Sequence, residues 1–204
     1  MSELVSKRDL RRTVRSLLER SSAEERALWS RSICNHLDSL ISDLVGLEGF
    51  VGVFSPMAIE PDIALWSLKL TASRPVCFPR MEDAPVFGEM RFFKVGGAAD
   101  LIPEPRFGGR WLEPRPTCDE VTPGELAVVL VPFVALDSLG SRLGHGGGFY
   151  DRYLVRLRPD VVRVAVGFDL QRVPSLPSED HDVTMDLLVT ENGIQQFGRW
   201  RKDE

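Results

Sequence analysis

The chain has 204 residues, of which 43% are apolar and 27% are charged, so it can bury a core and is not disordered throughout. Its 25 Lys and Arg against 30 Asp and Glu give a formal net charge of −5, which is a poor match to a general nucleic-acid-binding protein. The longest apolar runs, 126–131 and 164–168, are far shorter than the ~20 residues that cross a bilayer, so we expect no membrane partner.

The length and the cysteines favour one cytoplasmic domain. A chain of this length suits a single domain over residues 1–204. Its N-terminus is charged and lacks the apolar stretch of a secretory signal. Three cysteines without a CxxC pair are expected in a reducing compartment, namely Cys34, Cys77 and Cys118. We therefore expect a cytoplasmic protein, and we take it to be a monomer.

Two helices are predicted at the start of the chain. Ser6 with Asp9 and Ser22 with Glu25 have the spacing of helix N-caps. The inward residues of the first helix, at helical spacing, are Leu10, Val14, Leu17 and Leu18. Another face of that helix carries basic residues at i, i+4 and i+8, which are Lys7, Arg11 and Arg15. The inward residues of the second helix are Trp29, Ile33, Leu37 and Leu40.

The next segment predicts two strands around a short helix. An apolar strand is expected at 50–54, and Pro61 suits the first turn of a helix that continues to Leu70. A strand follows at 76–78. Residues 79–125 are rich in Pro and Gly, with one strand-like stretch at 90–95. We expect a short strand or a hairpin and a long loop there rather than a separate domain.

Strands and a helix alternate in the second half. The continuous apolar run at 126–131 is typical of a central parallel strand that is covered on both faces, and a glycine-rich loop follows at 140–148. The later elements are a helix, two strands and a polar tail, at 150–157, 161–168, 187–190 and 199–204. This alternation favours an α/β sandwich around a mostly parallel sheet.

The densest functional signal is the segment RLGHGGGFYDRYL at 142–154. It has four glycines in five positions, Gly144, Gly146, Gly147 and Gly148. They allow backbone N–H groups to approach an anion without a Cβ in the way. Arg142 can add a charged contact to a phosphate, and Asp151 lies where a carboxylate could hold a phosphate-bound Mg²⁺. The segment is neither a Walker loop nor a Rossmann fingerprint, and a flexible linker is the alternative.

Three weaker signals can each be explained by a functional role or by an ordinary structural one. Glu60 follows the first strand, where ligands of open α/β sheets bind, but it also suits a helix N-terminus. The face with Lys7 and Arg11 is either solvated or, if the first helix folds back over the glycine loop, a phosphate site. The acidic residues around His181 are Asp180, Asp182 and Asp186. They form either a solvated turn, which the sequence alone favours, or a magnesium site.

The other histidine and aromatic residues predict structural roles. No HExxH spacing and no Ser-His-Asp arrangement are visible in the sequence. His36 is expected to be a surface residue or a satisfied residue of a helix. Trp66, Phe92 and Trp111 are expected to belong to the core.

In their order along the chain, these motifs resemble the 5-formyltetrahydrofolate cyclo-ligase family, also called methenyltetrahydrofolate synthetases. The resemblance covers nearly the whole chain, and the glycine-loop motif is its most specific part. The other matching segments are KRDLRR at 7–12, FSPMAIEPDI at 54–63, FPRM at 78–81, IPEP at 102–105, Gln171, and HDVTMDLLVTE at 181–191.

The resemblance implies a three-layer α/β/α sandwich with a mostly parallel central sheet. It also implies a reaction that depends on ATP and Mg²⁺. ATP phosphorylates the formyl oxygen on N5 of 5-formyltetrahydrofolate, and N10 then attacks. Loss of phosphate leaves 5,10-methenyltetrahydrofolate, ADP and inorganic phosphate.

Position by position, the resemblance also implies roles for individual residues. Lys7 and Arg11 match ATP-contacting residues. The matching nucleotide loop consists of Arg142, Leu143, Gly144, His145, Gly146, Gly147, Gly148, Phe149 and Tyr150. The residues that face the folate are Ser55, Glu60, His145, Gly146, Gly147, Gly148 and Phe149. Asp151 and Asp182 match magnesium ligands, and the implied catalytic residues are Arg142, His145 and Asp151.

Two alternative functions stay open. A member of this family could bind nucleotide or folate without turnover. The basic face at 7–15 could instead contact nucleic acid, although the acidic net charge argues against it.

Overall fold

The computed structural model describes residues 6–44, 46, 48–82, 88–107, 111–177 and 182–197. The predicted tail at 199–204 lies outside the described residues, as do Asp180 and His181 of the acidic cluster. None of the helices within the described ranges is long and apolar enough to span a membrane.

The described residues contain four α-helices, α1 (Lys7–Arg20), α2 (Ala23–Asp43), α3 (Ala64–Leu70) and α4 (Phe149–Leu154). The predicted N-caps are confirmed, because the hydroxyls of Ser6 and Ser22 accept the N–H groups of Asp9 and Glu25 at 3.1 Å. His36 is satisfied as expected, with Nδ1 2.9 Å from the carbonyl oxygen of Thr190. The caps at Ser6 and Ser22 explain why α1 and α2 begin where they do.

Two helix predictions are wrong in detail. Leu17 is 40% exposed, because the buried stripe of α1 runs through Val14 and Leu18 at i and i+4, and Leu17 lies beside it. Pro61 precedes α3 instead of forming its first turn. The N–H of Ile63 bonds to the carbonyl of Pro61 at 3.0 Å, and this tight turn delays the helix until Ala64.

The strands in chain order are β1 (Phe50–Gly52), β2 (Val76–Glu82), β3 (Glu89–Val95), β4 (Leu101–Pro103), β5 (Leu112–Pro114), β6 (Glu120–Val121), β7 (Leu126–Pro132), β8 (Ala135–Leu136), β9 (Arg142–Leu143), β10 (Val162–Val166), β11 (Leu187–Thr190) and β12 (Gly193–Gln196). Eight of these described strands form one sheet in the order β12-β11-β10-β7-β1-β2-β3-β6. The pairs from β11 through β10, β7 and β1 to β2 are parallel, and the three outer pairs are antiparallel. The mostly parallel sheet is therefore confirmed, with antiparallel additions at both edges.

Apolar side chains divide between the two faces of this sheet. On β10, Val164 and Val166 belong to the core cluster that includes residues of α1, α2 and α3. Ala165, between them, belongs to a second cluster with Tyr153 and Leu154 of α4. This alternation places helices on both faces, as a three-layer sandwich requires.

Within 79–125 the predicted hairpin is confirmed, but the predicted long loop is wrong. β2 and β3 form a hairpin of seven residue pairs, from Val76 with Val95 to Glu82 with Glu89. β4 and β5 then pair as a separate two-stranded sheet. This segment is ordered by pairing between strands. Such pairing leaves no clear helical or apolar periodicity in the sequence, so the β4–β5 pair was not predicted.

The carboxyl ends of the parallel strands determine where a ligand can bind. The loop after β1 carries Glu60, and β7 ends at Pro132. The short β8–β9 pair then turns the chain into the glycine loop, Gly144–Gly148, which precedes α4. Loops at this edge of an open α/β sheet converge on one crevice.

Candidate active site

A cavity of about 400 Å³ collects almost all of the predicted site residues. It is lined by Lys7 and Arg11, by Glu60, by all ten residues from Arg142 to Asp151, and by Asp182. A neighbouring cavity of about 430 Å³ shares Met57 and Glu60 but contains none of the glycine loop. The first cavity is therefore the candidate site.

The glycine loop has a backbone that other residues fit poorly. Gly146 and Gly148 have φ angles of 105° and 65°, in the left-handed region. A Cβ on Gly147 would lie 2.9 Å from the ring of Phe149, and one on Gly148 would lie 2.7 Å from Nη1 of Arg152. The loop therefore presents bare backbone to the cavity, as an anion-binding cradle requires.

Arg142 places a buried cation beside this loop. Its side chain is only 3% exposed and pairs with the carboxylate of Asp151. Burial lowers the pKa of Arg142, whereas Asp151 and, more weakly, Tyr150 and Asp182 raise it. Its Nε has no hydrogen-bond partner among the described residues, which leaves one buried donor for a ligand.

Tyr150 supplies a second buried donor. Its hydroxyl is buried and has no partner within the described part of the chain. Burial raises the pKa of Tyr150 well above its ordinary value; the negative charge of Glu60 adds to this shift and Arg142 opposes it. The phenol is therefore a neutral donor, and a ligand oxygen in the cavity could accept its hydrogen bond.

Helix α1 folds back over the glycine loop, which was the condition for its basic face to act on a phosphate. Arg11 Nε donates to the carbonyl of Gly144 at 2.8 Å, and Lys7 Nζ lies 3.8 Å from Asp182 Oδ2. Lys7, Arg11 and Arg15 all line the cavity. The basic face of α1 therefore lies beside the glycine loop, where it can contribute to a phosphate site.

Glu60 is a buried carboxylate held from two sides. Its side chain is 2% exposed, and Oε1 lies 2.9 Å from Nε2 of His145. Its other oxygen, Oε2, accepts the N–H of Met57 at 2.8 Å. Glu60 is thus an oriented acceptor inside the cavity rather than a free acid at a helix N-terminus.

The predicted magnesium ligands both line the cavity, and each faces a cation. Asp151 faces Arg142, and Asp182 faces Lys7. Among the described residues, no three His, Cys, Asp or Glu side chains are grouped to hold a metal alone. Two carboxylates fit Mg²⁺, which usually takes one or two protein carboxylates and completes its shell with phosphate and water oxygens.

Two residues of the predicted clusters have structural roles instead. Ser55 is buried away from the cavity lining, and its hydroxyl accepts the N–H of Leu112 at 2.8 Å. Asp186 accepts both Nε and Nη2 of Arg163 at 2.8 Å. Of the acidic residues that the structure describes near β11, Asp182 is the one that reaches the cavity.

Several cavity residues escaped sequence reasoning. Trp111 was expected in the core, and it is only 5% exposed, but it also lines the cavity with Met57, Met81 and Pro132. Arg15 was noticed as part of the basic face but not assigned to the site. Its i+8 spacing from Lys7 was the signal that could have placed it there.

A comparison with models of known protein families identifies the family of this chain. A model described as the 5-formyltetrahydrofolate cyclo-ligase family matches residues 3–191. The chain belongs to this family. This confirms the resemblance that the motifs indicated.

Curated relatives have the same name but match over different lengths. A 5-formyltetrahydrofolate cyclo-ligase from Mycolicibacterium smegmatis is 42% identical over 77 residues, which is 38% of this chain and 40% of that protein. One from Haemophilus influenzae is 42% identical over 84 residues, 40% of this chain and 44% of that protein. These matches span less than half of either relative. The mouse protein of the same name is 25% identical over 197 residues, 92% of this chain and 94% of the mouse chain.

Solved structures confirm the family's fold. The NMR structure of 5,10-methenyltetrahydrofolate synthetase from Aquifex aeolicus is 28% identical and matches with a TM-score of 0.80. The match covers 97% of this chain and 96% of that one. A Mycoplasma pneumoniae structure, 17% identical with a TM-score of 0.73, covers 92% of this chain and 99% of its own and supports the same fold.

Proposed function

We propose that the protein cyclises 5-formyltetrahydrofolate to 5,10-methenyltetrahydrofolate and converts ATP to ADP and phosphate. The observation that carries this proposal is the lining of one cavity. The glycine loop with Lys7, Arg11 and Arg142 can bind an anion. Glu60 can accept hydrogen bonds from the N–H groups of a flat ligand, and Trp111 can contact its ring. Family membership supports the same chemistry.

In the proposed complex, the cations and the glycine loop hold the triphosphate. Lys7, Arg11 and Arg142 balance its charge, and the loop backbone approaches it closely. Mg²⁺ would neutralise charge on the phosphate oxygens, and Asp151 and Asp182 are the residues that would hold it. Phosphoryl transfer needs chiefly position and charge balance, and this side of the cavity has groups suited to both.

Glu60 holds the folate in this proposal. Its buried carboxylate accepts N–H groups of the pterin, and Trp111, Met57 and Met81 contact the apolar parts. A formamide oxygen is a poor leaving group. Its phosphorylation by ATP releases ADP and creates a good one, so that N10 can attack the formyl carbon and inorganic phosphate departs with the former formyl oxygen.

An absorbance assay tests the proposal, because the methenyl product is a chromophore. Product should form only when 5-formyltetrahydrofolate, ATP and Mg²⁺ are all present. A protein that binds without turnover would show saturable binding of either ligand and no absorbance change. That result would support the alternative of a binding module.

A matched pair of glycine variants links the activity to this cavity. Gly146→Ala and Gly193→Ala both put a side chain at a positive φ, 105° and 135°, but Gly193 is the first residue of β12, after the β11–β12 turn, with open space around it and outside the cavity lining. We expect Gly146→Ala to lower turnover strongly and Gly193→Ala to leave it close to that of the unchanged protein. An equal loss of turnover in both variants would show that the glycine loop has no specific role in the reaction.

A further inference from the structure

A chain of polar contacts links helix α1 to the buried acid of the cavity. Nη2 of Arg15 lies 3.3 Å from Nδ1 of His145, and Nε2 of the same ring lies 2.9 Å from Oε1 of Glu60. The three residues come from α1, from the glycine loop and from the loop after β1, and all line the cavity. They pass from exposed Arg15 through partly exposed His145 to Glu60, which is 2% exposed.

The partners of His145 select one form of its ring. A guanidinium can only donate, so Nδ1 must be the acceptor and cannot carry a proton while it faces Arg15. The proton of the neutral ring is then on Nε2, where it is donated to the carboxylate of Glu60. The tautomer is assigned from these hydrogen-bond partners, and the guanidinium of Arg15 and the carboxylate of Glu60 both select it.

We propose that Arg15 is a positioning residue: its contact with Nδ1 fixes the His145 ring so that Nε2–H points at Glu60, and His145 thereby orients Glu60 toward the folate. The inference rests on the proposed function for the identity of the ligand. With Oε1 held by His145 and Oε2 by the N–H of Met57, the carboxylate of Glu60 has one orientation. Its remaining lone pairs then face a ligand without the entropy cost of ordering the side chain.

The competing role for Arg15 is direct binding of a phosphate, since Lys7, Arg11 and Arg15 share a helix face. The two roles predict different losses. A phosphate ligand would affect ATP, whereas a residue that acts through His145 and Glu60 would affect the folate.

The first test reads the tautomer directly and needs no activity. Ring ¹⁵N shifts of histidine distinguish protonated from unprotonated nitrogens, and His145 is assigned by the signal missing from His145→Gln. In the unchanged protein we expect an unprotonated Nδ1 that accepts a hydrogen bond and a protonated Nε2. In Arg15→Ala we expect the Nδ1 signal to move toward that of an unprotonated nitrogen that accepts no hydrogen bond, because the guanidinium is gone, while Nε2–H still donates to Glu60. Arg12→Ala, one turn away with a 77% exposed side chain, removes the same charge and should leave the Nδ1 signal unchanged.

The second test measures affinity for each ligand. Arg15→Ala should weaken equilibrium binding of 5-formyltetrahydrofolate by about 3- to 10-fold, as loss of one hydrogen-bonded partner does, and should leave ATP binding unchanged. In a His145→Gln background, Arg15→Ala should have no further effect, because the intermediate link is already gone.

The outcomes separate this inference from the proposed function. An unchanged Nδ1 signal in Arg15→Ala, or a loss confined to ATP, would overturn the positioning role. Failure of the unchanged protein to bind 5-formyltetrahydrofolate would instead refute the proposed function, and the tautomer experiment would still decide whether Arg15 controls His145.

Discussion

Lys7 and Asp182 form an ion pair, with Nζ 3.8 Å from Oδ2, between the first turn of α1 and the segment before β11. Arg142 and Asp151 form a second pair in the same cavity. Each pair joins a proposed phosphate ligand to a proposed Mg²⁺ ligand. In the complex, each carboxylate would exchange its cation for Mg²⁺, and each cation would exchange its carboxylate for a phosphate. No charge would then be left unpaired in either state.

Asp182→Asn is the cleaner test of the magnesium role. We expect the Mg²⁺ concentration for half-maximal activity to rise about tenfold or more, which corresponds to ~1.4 kcal/mol. The free energy of unfolding should fall by less than ~1 kcal/mol, because the Lys7 pair is long and partly exposed. Activity against Mg²⁺ at fixed ATP, with urea unfolding, measures both.

Asp160→Asn is the control for that change, since Asp160 is a 70% exposed carboxylate paired with Arg158. Asp151→Asn is less clean, because it weakens the charge that balances buried Arg142 and should also destabilise the fold. An Asp182→Asn enzyme with unaltered Mg²⁺ dependence would contradict the assignment of Asp182.

Lys7→Ala and Arg11→Ala test the basic face of α1. Each should raise the KM for ATP by about tenfold, the scale of one charge-assisted contact, and raise the KM for folate much less. Arg12→Ala is the control, because Arg12 is on the same helix and pairs with Asp9 outside the cavity. Normal ATP kinetics in both variants would show that this helix face is solvated and does not bind the phosphates.

Local signals in the sequence predicted the centre of the fold correctly. The caps Ser6 and Ser22 act within three residues, and the apolar run at 126–131 reflects burial on both faces of β7. The sequence did not predict that β2 continues beyond residue 78, because Pro79 follows and a proline argues against a strand. Pro79 is tolerated because the last β1–β2 pair is Gly52 with Cys77, so β1 has already ended where the missing N–H would point.

The candidate site was predicted where one segment carries it, as in the glycine loop. Residues of distant segments were predicted only as weaker signals and through the family resemblance, as with Glu60 and Asp182, and others were missed. Met81 and Trp111 come from a region without periodicity, and the β2–β3 hairpin and the β4–β5 pair bring them to the cavity. The contact between His145 and Glu60 joins residues 85 positions apart, and nothing in either motif specifies it.

Tyr150→Phe tests the unpartnered hydroxyl in the cavity. Because no described residue bonds this hydroxyl, its removal should leave the free energy of unfolding nearly unchanged. If the hydroxyl donates to a substrate oxygen, kcat should fall about tenfold, or ~1.4 kcal/mol of transition-state stabilisation. Steady-state kinetics and thermal unfolding measure the two effects.

The chain offers a matched control for this variant in Tyr153→Phe. The hydroxyl of Tyr153 is also buried without a partner among the described residues, but Tyr153 packs on Phe92 and does not line the cavity. We expect its removal to leave kcat unchanged. A similar kcat loss in both variants would point to a general effect of core change.

Glu113→Gln should change how stability depends on pH. Glu113 is buried, and its Oε1 accepts the N–H of Met81 at 3.0 Å and the indole N–H of Trp111 at 3.2 Å. Burial raises its pKa, although these hydrogen bonds oppose the shift. The Oε1 of a glutamine can keep both bonds, so the variant chiefly removes the buried charge.

The sign follows from proton linkage. Because the pKa of Glu113 is raised in the folded state, its contribution to stability is present at low pH and is lost as the pH rises through that raised pKa. The advantage of Glu113→Gln over the unchanged protein should therefore be largest near pH 8 and shrink toward about pH 5. Glu104→Gln is the control: bonds from Arg106 lower the pKa of Glu104, so its contribution is lost only at pH values below this range, and the effect of the variant should not change between about pH 5 and pH 8. Urea unfolding across this range decides the matter, and parallel pH profiles for both variants would show that the two carboxylates do not differ as the geometry requires.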